Sequence, residues 1–340
     1  MDALPDAVRR RVEQTVAVRD TDVIPKVPDA GQVVDRDGRQ VQIMHNGALV
    51  EAGGYHGDWM IEVIQRLRGH HEPQEELAFY TVLERLAQDT DRPVMVELGA
   101  FWAYYSIWAK LRIPGTRLVL VEPDEANLAV GRRNLALNDL EATFVQAAVG
   151  SEHNGHIDLT WESDGQTHPT RVVSVDGLIA DEALERIDLL LVDVQGAELD
   201  ALHGAAQALA EHRLRFLVVS THHHSMSQDP LIHQRCRELL LEAGAHLITE
   251  HSVLESCSGD GLILASMSAA DRDLHTEVSI VRARDTLWGE PEYELAQAGV
   301  GTWWSRYVRE LARWRAEPAR IRLTLSRLVG GRFAPRTPGD

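Results

Sequence analysis

The sequence predicts an α/β protein: a seven-stranded sheet, mostly parallel, finished by a C-terminal antiparallel hairpin and flanked by an extension at each end. Three observations carry that expectation. From residue 93 onwards short apolar runs alternate with helical stretches, which is how a parallel sheet covered on both faces by helices reads. One run, Ile187–Val192, is apolar almost throughout, as a strand buried on both faces requires. The last two strands, 247–251 and 262–266, are joined across Gly259-Asp260-Gly261 and so pair antiparallel.

Composition bounds the rest. The chain has 340 residues, 44% hydrophobic and 25% charged, the proportions of an ordinary globular protein. Its formal charge of −18 speaks against nucleic acid or an anionic membrane as a partner, since both select basic surfaces. Two cysteines, Cys236 and Cys257, are too few for a disulfide framework and fit a reducing compartment. The opening MDALPDAVRR lacks the apolar core of a signal peptide, and no run approaches the ~20 residues of a membrane helix. A cytoplasmic protein is the expectation.

Residues 1–75 read as an N-terminal extension and lid. A hairpin is expected over 32–43 around Asp35-Arg36-Asp37-Gly38, then a loop, Gly53-Gly54-Tyr55-His56-Gly57, and a helix over 59–67. His70-His71-Glu72 precedes a second helix, 75–88. That segment reads either as a solvated helix-start loop or as a lid over the pocket that follows. The central domain, 76–270, is organised by VMVELGAFWAYYS, residues 94–106. An apolar strand meets Glu97, turns at Gly99-Ala100 and opens a helix over 103–111. The next strand ends on Glu122, and after Pro123 Asp124 caps the following helix. Strand, glycine turn, helix, strand and acid together hold a nucleoside: the turn lets backbone approach the ligand, and the acid accepts hydrogen bonds from ribose hydroxyls. Such a unit serves NAD and S-adenosylmethionine (SAM) alike. Ala103 stands where a dinucleotide pyrophosphate needs its last glycine, which tilts the choice to a cofactor without phosphates.

A third strand, 142–147, places Gln146 and Ala147 beside the expected adenine. A strand over 156–161 is followed by a polar loop to Thr170. The fourth strand ends at Asp193, and the fifth, 214–219, runs into Ser220-Thr221-His222-His223-His224. A helix over 231–243 is closed by Gly244. In the tail, 271–340, Trp303, Trp304, Tyr307, Leu311 and Trp314 fall at helical spacing with arginines between them. That helix is expected to support homo-oligomer formation, and residues 332–340 read as disordered.

These residues carry a resemblance. Glu97-Leu98-Gly99-Ala100, Tyr104-Tyr105-Ser106, Val121-Glu122-Pro123-Asp124 and Arg133-Asn134-Leu135-Ala136-Leu137-Asn138 resemble the FkbM family of methyltransferases. So do Asp193-Val194-Gln195-Gly196-Ala197-Glu198 and Leu202-His203-Gly204-Ala205. The likeness covers roughly residues 70–265. It implies a class I methyltransferase (Rossmann-like) sheet and SAM as cofactor, with methylation of a hydroxyl on a sugar, glycoside or secondary metabolite. It also implies a cofactor set of Glu97, Gly99, Ala100, Tyr105, Ser106, Glu122, Pro123, Asn127, Gln146, Ala147 and Asp193. The chain departs from the family at Phe101-Trp102-Ala103, where Asn-Ile-Gly is usual, at Gln195, and at Thr221-His222-His223-His224.

A hydroxyl acceptor must lose its proton as it is methylated. Strands four and five open on one crevice, which places Asp193 and a histidine near the expected methyl position. In one reading His222 or His223 is the general base and Asp193 orients it or the substrate. In the other, Asp193 and His222 hold a divalent metal, magnesium or manganese, that acidifies the hydroxyl. His70, His71, Glu72, Tyr80, Gln195, Glu198 and His224 make up the substrate or lid side. Glu198 reads equally as a helix-start carboxylate. The rival classes are a nicotinamide-binding protein and a catalytically silent relative of the same fold.

Overall fold

The computed structural model describes residues 6–281, and the expected C-terminal aromatic helix and tail lie outside them. Helix α1 (Asp6–Ala17) leads to the expected hairpin of β1 (Val33–Arg36) and β2 (Arg39–Ile43). Its two turn residues, Asp37 and Gly38, have φ of 53° and 79°, the left-handed pair that a tight hairpin turn requires. A short third strand, β3 (Leu49–Glu51), joins β2 antiparallel and is not evident in the sequence. Helices α2 (Asp58–Arg66) and α3 (Pro73–Asp89) follow. Pro73 opens α3, and Glu76 reaches back to accept the backbone N–H groups of His71 and Glu72.

The regular alternation then begins: β4 (Val94–Leu98), α4 (Tyr104–Arg112), β5 (Arg117–Val121), α5 (Glu125–Leu137) and β6 (Thr143–Val145). Asp124 caps α5 as expected, its side chain accepting from the Ala126 and Asn127 amides. A separate small sheet follows, made of β7 (Ala148–Val149), β8 (His156–Thr160) and β9 (Thr167–Val173). Here the expectation of a polar loop to Thr170 is corrected. Residues 167–171 pair antiparallel with β8, and only Val172 and Val173 continue onto β7. Pro169 hides the strand in the sequence; it is tolerated because that stretch has a partner on one side alone. The chain continues through α6 (Val175–Asp181), β10 (Ile187–Val192), α7 (Glu198–His203), α8 (Ala206–Ala210) and β11 (Leu214–Thr221). It closes with α9 (His224–Ser227), α10 (Ile232–Glu242), β12 (His246–His251) and β13 (Gly261–Ser266).

The main sheet has the order β12-β13-β11-β10-β4-β5-β6. Strands β4, β5, β6, β10 and β11 are mutually parallel, and β13 runs antiparallel between β11 and β12. This is the seven-stranded class I methyltransferase arrangement, with its reversal at the centre where β4 meets β10. Side chains divide by alternation between two faces. Met95, Leu118, Leu120, Leu189, Leu191 and Phe216 pack with Phe79, Leu83 and Trp108 on one side. Val96, Leu98, Val119, Leu190, Val192 and Leu217 pack with Leu178, Leu202 and Leu240 on the other. Val12, Met44 and Met60 from the N-terminal segment belong to the first of these cores. Among the described residues no helix is long and apolar enough to cross a membrane.

Candidate active site

The carboxyl ends of β4, β5 and β10 open into a cavity of about 310 Å³. A roomier but open depression at the other end of the strands, lined by residues such as Asp89, Arg92 and Arg112, gathers no comparable set of groups. Glu97 closes β4 on the cavity floor and accepts the backbone N–H and the hydroxyl of Ser106. Burial pushes its carboxyl up to about 8, against those two donors. Glu122 closes β5, accepts the amides of Asp124 (3.0 Å) and Phe101 (3.1 Å), and is pushed up by burial to about 7.

Between the two acids the backbone turns at Gly99, with φ of 82°. A Cβ there would stand 1.7 Å from the Asp193 carbonyl oxygen, so only glycine fits between the ends of β4 and β10. Phe101 and Ala103, at φ 35° and 61°, also take left-handed conformations, although neither is glycine. The turn keeps its shape at a cost of roughly 1–2 kcal/mol per such residue, and Phe101 and Trp102 form part of the cavity wall.

Asp193 follows β10 and lines the cavity. Behind it the His222 ring is held from both sides, Nε2 lying 3.3 Å from Asp193 Oδ1 and Nδ1 2.7 Å from Glu198 Oε1. Burial opposes charge on this ring, but Asp260, Glu198 and Asp193 outweigh it and raise His222 to about 10. The three carboxylates around the ring thus favour its protonated form. Burial raises the proton affinity of Asp193, as do the nearby Glu75, Asp260 and Glu198 charges, while His222 opposes the rise.

The opposite wall comes from the N-terminal segment. Tyr55 lies parallel to Trp102, ring centroids 4.5 Å apart, and stands edge-on to His71 and Phe101. His70 and His71 are buried, which excludes the solvated-loop reading. Both bind Glu76, whose carboxylate also accepts from the Tyr104 hydroxyl at 3.3 Å. Among the described residues, His45, His70 and Glu76 form the one group spaced to hold a metal. Its atoms are already engaged, His70 on Glu76 and His45 Nδ1 on the Tyr104 hydroxyl at 2.9 Å, and it does not line the cavity. At the far rim β8 contributes Ile157 and Leu159, and the loop after it Trp161 and Glu162. Ser163 ties this loop to Asp124 through two hydrogen bonds of 2.8 Å.

Of the residues singled out from sequence, His71, Glu72, Glu97, Gly99, Ala100, Tyr105, Glu122, Pro123, Asn127, Asp193 and Gln195 meet around this cavity. Ser106 and His222 stand behind it, holding Glu97 and Asp193, and Glu198 stands behind His222. The structure does not bring the others there. His70 turns to Glu76, and Tyr80 lies against Trp108. His223 caps α9 through the Ser225 amide, with His224 against its ring. Ala147 is packed in the core and Gln146 points to the Pro123 carbonyl, while Ala148 and Val149 line the wall where adenine was expected. Phe101 and Trp102, whose bulk in place of the usual Asn-Ile suggests a reshaped pocket wall, do line the cavity, whereas Tyr55 and Trp161 were missed as wall residues. Tyr55, between glycines in a loop, is the one with a local signal.

Residues 86–247 match the methyltransferase FkbM domain. Methyltransferase sdnD of Sordaria araneosa is 28% identical, over 40% of this chain and 69% of that protein. Among solved structures, the precorrin-6y C5,15-methyltransferase of Geobacter metallireducens GS-15 has 16% identity and a TM-score of 0.34, over 56% of this chain and 87% of its own. The ribosomal protein L11 methylase of Lactobacillus delbrueckii subsp. bulgaricus has 14% identity and a TM-score of 0.34, over 58% and 80%. The segment that supplies most of this cavity, residues 86–247, is thus the part of the chain that is similar to the methyltransferase FkbM domain.

Proposed function

We propose that the protein is a SAM-dependent O-methyltransferase acting on a hydroxyl of a sugar, glycoside or secondary metabolite, with Asp193 as proton acceptor. The observation that carries this reading is the chain Glu198–His222–Asp193, which presents one carboxylate of raised proton affinity to the cavity beside the Gly99 turn. The residues present fit SAM. Gly99 leaves a cradle that a Cβ would fill, Glu97 suits an ammonium, Glu122 suits ribose hydroxyls, and among the described residues no lysine or arginine lines the cavity to meet a pyrophosphate. When bound, SAM supplies an electrophilic methyl group. The chain's own work is to hold the acceptor hydroxyl in line and to take its proton on an Asp193 oxygen. His222, fixed by Glu198, opposes the rise in the proton affinity of Asp193 and aims its carboxylate. Asp193 and His222 do not belong to the group spaced to hold a metal among the described residues.

Calorimetric titration with SAM and NADH tests the cofactor, and strong NADH binding without SAM binding would overturn it. Glu122→Ala should weaken SAM by ~1.5–3 kcal/mol, the worth of a charge-assisted hydrogen bond. Affinity should also depend on pH. An ammonium pairs with ionised Glu97, whose carboxyl sits at about 8 in the free protein. Protonation then competes with binding, and SAM should weaken by up to ~10-fold per unit as pH falls below that value. Titrations in buffers of different ionisation enthalpy would register the released proton, and a pH-independent affinity from 6 to 9 would contradict the pairing. Activity should survive chelator.

A further inference from the structure

The acceptor side of the cavity gathers more carboxyl groups than removal of one hydroxyl proton requires. Glu97, Glu122 and Asp124 are engaged by Ser106, by backbone amides and by the α5 cap, and Asp193 by His222. Glu72 also lines the cavity, yet the described hydrogen bonds give its carboxylate none to accept. Its facing cation is His71, with Nε2 at 3.7 Å, and that ring is shared with Glu76. The Tyr105 hydroxyl is buried on the same wall, with the Glu75 carboxyl close behind it as its neighbour. The faces between are aromatic, from Tyr55, Phe101, Trp102 and Trp161, and among the described residues no lysine or arginine joins the lining.

Carboxylate, phenol and aromatic faces, with no basic side chain but His56 and His71 in the described lining, recognise an organic cation. Building on the methyl-transfer reading above, we propose that the acceptor carries a protonated amine near its methyl-accepting hydroxyl, as in an amino sugar or an amine-bearing glycoside. Glu72 and Tyr105 bind that amine against the aromatic wall. A bare metal ion suits the place less well, since the carboxylates here do not converge to ligand spacing.

The test uses the full chain loaded with S-adenosylhomocysteine. It is titrated with methyl glycosides of glucose, glucosamine, N-acetylglucosamine and glucuronic acid, and with the amine and N-acetyl forms of a 3-amino-3-deoxy sugar. Within each amine and N-acetyl pair the amine should bind ~10-fold to ~100-fold tighter. Glu72→Gln should erase that difference while leaving S-adenosylhomocysteine affinity and the unfolding temperature unchanged. Equal binding within the pairs, tighter binding of the glucuronide, or no binding by any amine would each overturn the proposal. Mass spectrometry of products formed with labelled SAM separates it from the reading on which it rests. Methylated neutral sugars without amine preference would retain O-methylation and remove the amine, and label on nitrogen would remove both.

Discussion

Asp193→Asn is expected to lower turnover ~10²–10⁴-fold, the usual worth of a positioned general base, while SAM binding changes little. Asparagine keeps the shape of the side chain and the contact with His222 but cannot take a proton at neutral pH. The pH profile adds a second readout. Asp193 acts when ionised, so the rate should rise with pH through its raised titration, and it should fall again as His222 loses its proton near 10. The rising limb belongs to the carboxylate and should vanish in Asp193→Asn. If a histidine were the base instead, the limb would persist in that variant and disappear when His222 or His223 is replaced. Full turnover in Asp193→Asn would refute the assignment.

Gly99→Ala is expected to destabilise the protein by more than ~4 kcal/mol, in the range reserved for substitutions that the surroundings cannot absorb. The added Cβ would meet a backbone oxygen at 1.7 Å rather than the end of a flexible side chain. That oxygen belongs to Asp193, whose amide is bonded to the Leu98 carbonyl, so relief would require parting β4 from β10. Positive φ adds strain of roughly 1–3 kcal/mol. Thermal unfolding of the variant measures the loss. A melting temperature within a few degrees of the native one would mean that the turn is far more pliant than its geometry indicates.

The frame was legible in the sequence because its strands are local signals. Ile187–Val192 is apolar apart from Asp188, and the turn at Gly99 and the cap at Asp124 lie within a few residues of the elements they end or begin. Those residue types also located the acids Glu97, Glu122 and Asp193 at the strand ends. What escaped depends on contacts remote in the chain. Tyr55 becomes cavity wall only by lying on Trp102, and His70 and His71 are buried only because Glu76 and Tyr104 receive them. The role of His222 turned for the same reason. A histidine after a strand reads as a base, but its charge is fixed by Glu198, 24 residues away, and by Asp260 across the β12–β13 connection. Short or proline-bearing strands such as β3 and β9 lack the period that would mark them.

The shared core of the N-terminal segment has a bearing on what folds as one piece. The FkbM match begins at residue 86, inside α3, and ends at 247, inside β12. Cut at those borders, the chain would lose β13, an interior strand, and leave β11 with an open edge. It would also strip Phe79, Leu83 and Met44 from the side of the sheet where Tyr104 and Trp108 lie. The matched segment is thus smaller than the packed core. Residues outside it, Tyr55 and Glu72 among them, can therefore change only as far as that common core tolerates.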